Sequence, residues 1–159
     1  MKGFTLIEVI VAVAISLMVT GFILVNYNSF NDTQTLKQAA LTLKNNLRFA
    51  QSKATTGQKP TSCTQLVGYS VSFTKSVYSI QALCNPEGLV GDVLSSGLPK
   101  GVIFSPIPAP VTFTVLSRGT DLTTGLCIIL LGSGKNYSFG LQTNGELNDL
   151  GLEYNGSCP

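Results

Sequence analysis

The chain has 159 residues, of which 44% are hydrophobic and only 11% charged, against roughly 25% charge in an ordinary soluble domain. It has no His and no Trp, and 10 basic and 8 acidic residues leave a formal charge of +2. That apolar content excludes intrinsic disorder, the lack of His excludes His-based catalysis and His-ligated metals, and the weak charge leaves no footprint for nucleic acid.

Met1-Lys2-Gly3-Phe4-Thr5-Leu6-Ile7-Glu8 opens the chain, and no charge follows between Val9 and Val25. The 22 residues from Phe4 to Val25, at about 1.5 Å each, match a hydrocarbon core of about 30 Å. The run predicts a membrane helix. A signal peptide fits poorly, because the run is long and exits into Val25-Asn26-Tyr27-Asn28 without an Ala-x-Ala site. A plain membrane anchor leaves Glu8 unexplained, since a carboxylate inside a span costs about 2.5–3.5 kcal/mol and calls for a partner.

Lys2-Gly3-Phe4-Thr5-Leu6-Ile7-Glu8-Val9 resembles the leader and mature start of type IV pilins and pseudopilins. The resemblance implies that a prepilin peptidase cuts after Gly3 and that the new terminus, Phe4, is N-methylated. It also places the family's glutamate, the fifth mature residue, on Glu8. In the filament core Glu8 would pair with the Phe4 amine of a neighbour and set the axial register, because an unpaired charge there is heavily penalised. Lys2 keeps the leader on the cytoplasmic side. The implied partners are other pilin subunits, prepilin peptidase and an inner-membrane assembly platform. The implied location is a single-pass membrane precursor, then an extracellular or periplasmic filament.

After Asn26 the helix turns amphipathic. Leu36, Ala40, Leu43, Leu47, Ala50 and Ala54 recur every three or four positions and form one apolar stripe. A sheet lying on that stripe is expected. Gly57 and Pro60 are stop signals, so one helix is predicted over Thr5–Thr55. Asn26 to Thr33 is its weakest stretch, because Asn, Ser and Asp compete with the helix backbone. Pilins commonly carry a kinking proline in the first half. None occurs here before Pro60, which fits a minor pilin or pseudopilin.

The rest reads as β-rich. Leu66–Phe73 and Val77–Leu83 form a hairpin, Val90–Leu94 and Gly101–Phe104 are shorter strands, and 105–110 is an extended connector because three prolines remove ladder donors. Val111–Leu116, Leu126–Leu131 and Tyr137–Thr143 follow as strands, with turns at 119–121 and 132–135. Asn144-Gly145 predicts a type I′ turn into a short strand at Glu146-Leu147, and Leu152 to Pro159 a terminal strand or pinned tail. The pattern over about residues 98–147 is similar to the head of the minor-pilin group that includes H-type pseudopilins. The fold class is therefore α+β: a long N-terminal helix, membrane-spanning in its first half and amphipathic in its second, packed on an antiparallel β-sheet head, the pilin fold. Its parts are a leader (1–3), a membrane and filament-core helix (4–25), an amphipathic second half (26–56) and the head (57–159).

Cys63, Cys84, Cys127 and Cys158 all follow the membrane helix. With no CxxC and no His they argue for disulfides in an exported domain rather than zinc, and four cysteines allow three pairings. The first hairpin brings Cys63 toward Cys84, which leaves Cys127 with Cys158. No nucleophile elbow or phosphate loop is present, so no enzyme activity, cofactor or metal is expected. Asn144, Glu146, Asn148 and Asp149 offer oxygens, but not at EF-hand spacing. Two further readings are a DNA- or surface-binding minor pilin and a simple membrane-anchored extracellular domain. DNA binding is disfavoured. Beyond residue 59, Lys75, Lys100, Arg118 and Lys135 face Glu87, Asp92, Asp121, Glu146, Asp149 and Glu153, too few and too scattered a set of cations to hold phosphates.

Overall fold

The computed structural model describes residues 5–117 and 119–153, with the backbone alone for 22–29. One helix, α1 (Leu6–Thr55), runs for 50 residues, about 75 Å at 1.5 Å per residue. Thr5 caps its start in an extended conformation, and its Oγ1 accepts from the Glu8 N–H. The end is a Schellman closure. Gly57, at φ 64°, donates to Ala54 O, and Gln58 donates to Lys53 O. The helix is continuous through 26–33, so the Asn and Asp residues there do not break it.

Eight strands follow: β1 (Gln65–Phe73), β2 (Val77–Asn85), β3 (Gly88–Gly97), β4 (Val102–Phe104), β5 (Val111–Thr114), β6 (Leu126–Gly132), β7 (Lys135–Leu141) and β8 (Leu147–Leu152). The expected head was one sheet. The structure has two antiparallel four-stranded sheets, ordered β3-β2-β1-β5 and β4-β6-β7-β8. The prolines at 106, 108 and 110 explain the split. The chain leaves one ladder after β4 and enters the other at β5, since a proline-rich segment cannot pair. Because β4 and β5 each sit in the sheet opposite to their sequence neighbours, the two sheets interlock.

The helix stripe seats on both sheets. Leu36, Ala40, Leu43, Leu47, Ala50 and Ala54 are each 0% exposed, and α1 contacts β1 and β5 of one sheet and β6 and β7 of the other. Val71, Val111 and Phe113 from the first sheet and Ile128, Leu130 and Phe139 from the second complete a single core. Phe104 on β4 ties the sheets together, edge-on to Phe73 at 5.3 Å and to Tyr78 at 6.4 Å.

The turn expected at 132–135 is present, and the one expected at Asn144-Gly145 differs in type. The type I′ turn is at Ser133-Gly134, with φ 49° and 75°, between Gly132 and Lys135. At Asn144-Gly145 only the glycine has positive φ, 81°. There Gly145 N–H donates to Gln142 O, Gln142 N–H to Glu146 O, and Asn144 Oδ1 accepts from Glu146 N–H. This is a wider loop ending in a glycine bulge, because Asn144 spends its side chain on a local turn rather than entering the left-handed region. The strand after it, placed at Glu146-Leu147, runs instead over Leu147–Leu152.

Candidate assembly site

Two halves of one helix meet two environments. From Leu36 onward the stripe is buried. From Leu6 to Val19 every large apolar side chain is 51–79% exposed. Full burial of each would stabilise by about 1.5–3 kcal/mol, so this arm is built for an apolar partner or solvent. Its two hydroxyls are satisfied internally: Ser16 Oγ donates to Ala12 O at 2.9 Å and Thr20 Oγ1 to Ser16 O at 2.8 Å. No polar side chain between Val9 and Gly21 is left asking for water. Among the described residues no helix is long and apolar enough to cross a membrane. Of the expected span 4–25, side chains are described only for 5–21.

Glu8 stands in the first turn, on an otherwise uncharged arm. Thr5 and Glu8 stand at the ends of a Thr-x-x-Glu pattern, and Thr5 Oγ1, the N-cap oxygen, accepts from Glu8 N–H at 3.4 Å. A carboxylate there also complements the positive helix end. Sequence reasoning assigned Glu8 to assembly and missed the Thr5 cap on its backbone N–H, although Thr-x-x-Glu was legible. Gly3 and Phe4, the expected processing residues, lie outside the described residues.

In the head, Cys63 and Cys84 form a disulfide as expected. Cys127 is also disulfide-bonded, and Cys158 lies outside the described residues. The oxygen-rich group near the C-terminus has other work. Asp149 accepts from Lys44 Nζ and from Tyr137 OH, each at 2.8 Å, while Asn144 closes its loop. Of the head's cations, Lys135 donates to Thr33 Oγ1 at 3.0 Å and so joins the head to the helix.

The N-terminal residues also decide the comparison with known proteins. Residues 1–24 match the family model described as the prokaryotic N-terminal methylation motif. The chain carries the type IV prepilin-like signature. The match takes in the exposed apolar stretch from Leu6 to Val19, so the signature and that stretch are one feature. No curated protein and no solved structure gives a significant match to the chain.

Proposed function

We propose that the chain is a structural subunit, a minor pilin or pseudopilin, of a type IV pilus-like filament. Prepilin peptidase cuts after Gly3, Phe4 is methylated, and the arm from Phe4 to Val25 passes from the membrane into the filament core. The head coats the outside. The observation that carries this reading is the methylation motif over residues 1–24, heading a helix whose apolar side chains from Leu6 to Val19 are exposed and whose second half buries one apolar stripe on the head. The work of such a subunit is assembly rather than catalysis. Its partners are other pilin subunits, the peptidase and an inner-membrane platform.

Within this reading Glu8 meets the Phe4 amine of a neighbour and fixes the stagger between helices. Glu8→Gln separates that role from capping. A glutamine keeps the backbone N–H that Thr5 caps and the size of the side chain but carries no charge. Loss of the chain from the sheared filament fraction supports the ion pair, and normal recovery of the glutamine variant rejects it. Cys127 and Cys158 are assigned as the second disulfide, pinning the C-terminus to β6. Peptide mapping without reduction tests that pairing: a linked 127–158 peptide supports it, and a free Cys158 rejects it.

A further inference from the structure

The second half of β3 is a free sheet edge. Leu98 N–H donates to Ser76 O at 2.8 Å, and the register continues through Tyr78↔Ser96 and Ile80↔Leu94. Bonded and unbonded pairs alternate along an antiparallel ladder. Leu94 and Ser96 therefore bond to β2, and the N–H and C=O groups of Val93, Ser95 and Gly97 point away from it. Among the described residues none of these groups has a partner. The edges at β4 and β5 are closed by the chain itself. On β4, Val102 N–H donates to Pro99 O and Phe104 N–H to Lys75 O. On β5, Thr112 N–H donates to Asp121 Oδ1, and Asp121 N–H to Thr112 O. Bulges and charges usually guard a bare edge. On β3 they stand only near Gly91 and Asp92, and Val93–Gly97 has no charge, no proline and no bulge.

The face beside this edge is also unfilled. Leu94 is 40% exposed, although Ile80 opposite it is 3% exposed. A half-open depression of about 180 Å3 adjoins the edge, lined by Gln38, Ala39 and Thr42 of α1, by Tyr78 of β2 and by Ser96 and Gly97 of β3. A strand added to β3 would set every second side chain on the face of Leu94 and Ser96, over that depression. Open main-chain groups and room for alternate side chains are what recognition by strand addition requires.

Charge narrows the partner. Asp92 is exposed and makes no ion pair among the described residues. Lys53 and Lys59 line the same hollow as Asp92 but are engaged elsewhere, Lys53 Nζ over the Phe49 ring at 4.8 Å and Lys59 Nζ as donor to Thr64 O at 3.1 Å. A lysine or arginine on the incoming strand would complement Asp92. A second β3 does not fit the filament. Antiparallel pairing of β3 with itself is two-fold and closes a dimer. Because α1 lies on the sheet, the second helix would run the opposite way, and the two N-terminal arms could not enter one membrane or one filament core.

We propose that the edge of β3 over Val93–Gly97 takes up an extended segment of a different protein as a further strand. That segment carries apolar residues at alternate positions and a lysine or arginine beside Asp92. The choice of a different protein over a second copy rests on the filament reading above. The edge is tested on the full-length chain in detergent with a short synthetic peptide of alternating valine and threonine that ends in lysine. Its binding is expected to slow amide exchange at Val93, Ser95 and Gly97 at least tenfold. Ser95→Pro removes an N–H that β2 does not use and is expected to weaken binding at least tenfold, whereas Ser95→Ala keeps that N–H and binds like wild type. Asp92→Asn is expected to weaken binding about two- to fivefold. In wild-type chain recovered in filaments from native cells, the same three amides are expected to be protected relative to the chain in detergent. Free exchange at these positions in either setting overturns the inference and leaves the filament reading standing. Peptide binding that survives Ser95→Pro overturns the main-chain contact. Protection that appears in the chain alone and grows with its concentration identifies a second copy and overturns the choice of partner. Retention of residues 1–3 on the wild-type chain removes the filament reading and the argument against a second copy, while the peptide result stands by itself.

Discussion

Lys44 and Asp149, 105 positions apart, meet with Nζ 2.8 Å from Oδ2, and Tyr137 OH donates to the other carboxylate oxygen at 2.8 Å. One carboxylate thus joins α1, β7 and β8 beside the buried stripe. Partial burial acts to raise the Asp149 pKa. The bonds from Lys44 and Tyr137 outweigh it and hold the group below the usual carboxylate value. Tyr137 is pushed up to about 12, first by burial and then by the Asp149 carboxylate.

Asp149→Ala is expected to destabilise the chain by about 1 kcal/mol, since the carboxylate is partly open to solvent. The pH dependence has a defined sign. A depressed carboxylate stabilises the fold above its unfolded pKa of about 3.9 and loses that contribution as pH falls through the folded value. The raised Tyr137 contributes fully below about 10 and loses its share as pH climbs toward 12. Melts of the full chain in detergent between pH 3 and 7 should therefore show a steeper acid loss for wild type than for Asp149→Ala. Parallel curves would contradict the linkage.

Position on the helix decides the cost of losing a leucine. Leu43 and Leu47 are 0% exposed, whereas Leu41 is 51% exposed. Leu43→Ala or Leu47→Ala should cost about 2–5 kcal/mol, and Leu41→Ala less than about 0.5 kcal/mol. Denaturant titration of the three variants measures the difference. Similar midpoints for all three would mean that the stripe does not carry the core.

The Cys63–Cys84 bridge closes a loop of sequence separation 21. Replacing both cysteines by serine should cost about 3 kcal/mol, mainly by freeing the unfolded chain. Both serine hydroxyls would also be buried, because Cys63 and Cys84 are only 4% and 3% exposed. A melting temperature unchanged from wild type would show that the bridge is absent or energetically idle.

Ser133 and Gly134 supply the two left-handed residues of the β6–β7 turn. Ser133→Asn should stabilise by a few tenths of a kcal/mol and Gly134→Ala should cost about 1 kcal/mol, because asparagine tolerates this region and alanine does not. Opposite signs for the two variants in one denaturant series are the expected result. A neutral Gly134→Ala would contradict the turn assignment.

Much of this architecture was legible because the signals were periodic and local. The stripe from Leu36 to Ala54 follows helical spacing, and every member is buried. The first hairpin alternates strictly through Tyr78, Ile80, Ala82 and Cys84, and it brings Cys63 to Cys84. What escaped was non-local. Assigning β4 and β5 to opposite sheets depends on which ladder each joins after a proline break, and no local pattern encodes that. Asn144-Gly145 carries the residue types of a two-residue turn, but the Gln142–Glu146 bond closes a wider loop. β3 runs over Gly88–Gly97, beyond both ends of the Val90–Leu94 that the sequence pattern predicts. Its pairing is irregular near Gly91, where φ is 79° and Pro60 occupies the space a side chain would need, so a glycine is required there. No local pattern shows that Asp149 pairs with Lys44 and Tyr137, because the fold brings them together across 105 and 12 positions.

The central claim is that this chain is processed and assembled as a prepilin. Mass spectrometry of the N-terminal peptide from the membrane or filament fraction of peptidase-competent cells tests it most directly. The expected result is a peptide that begins at Phe4 and carries one N-methyl group. A chain that still begins at Met1 would contradict the account.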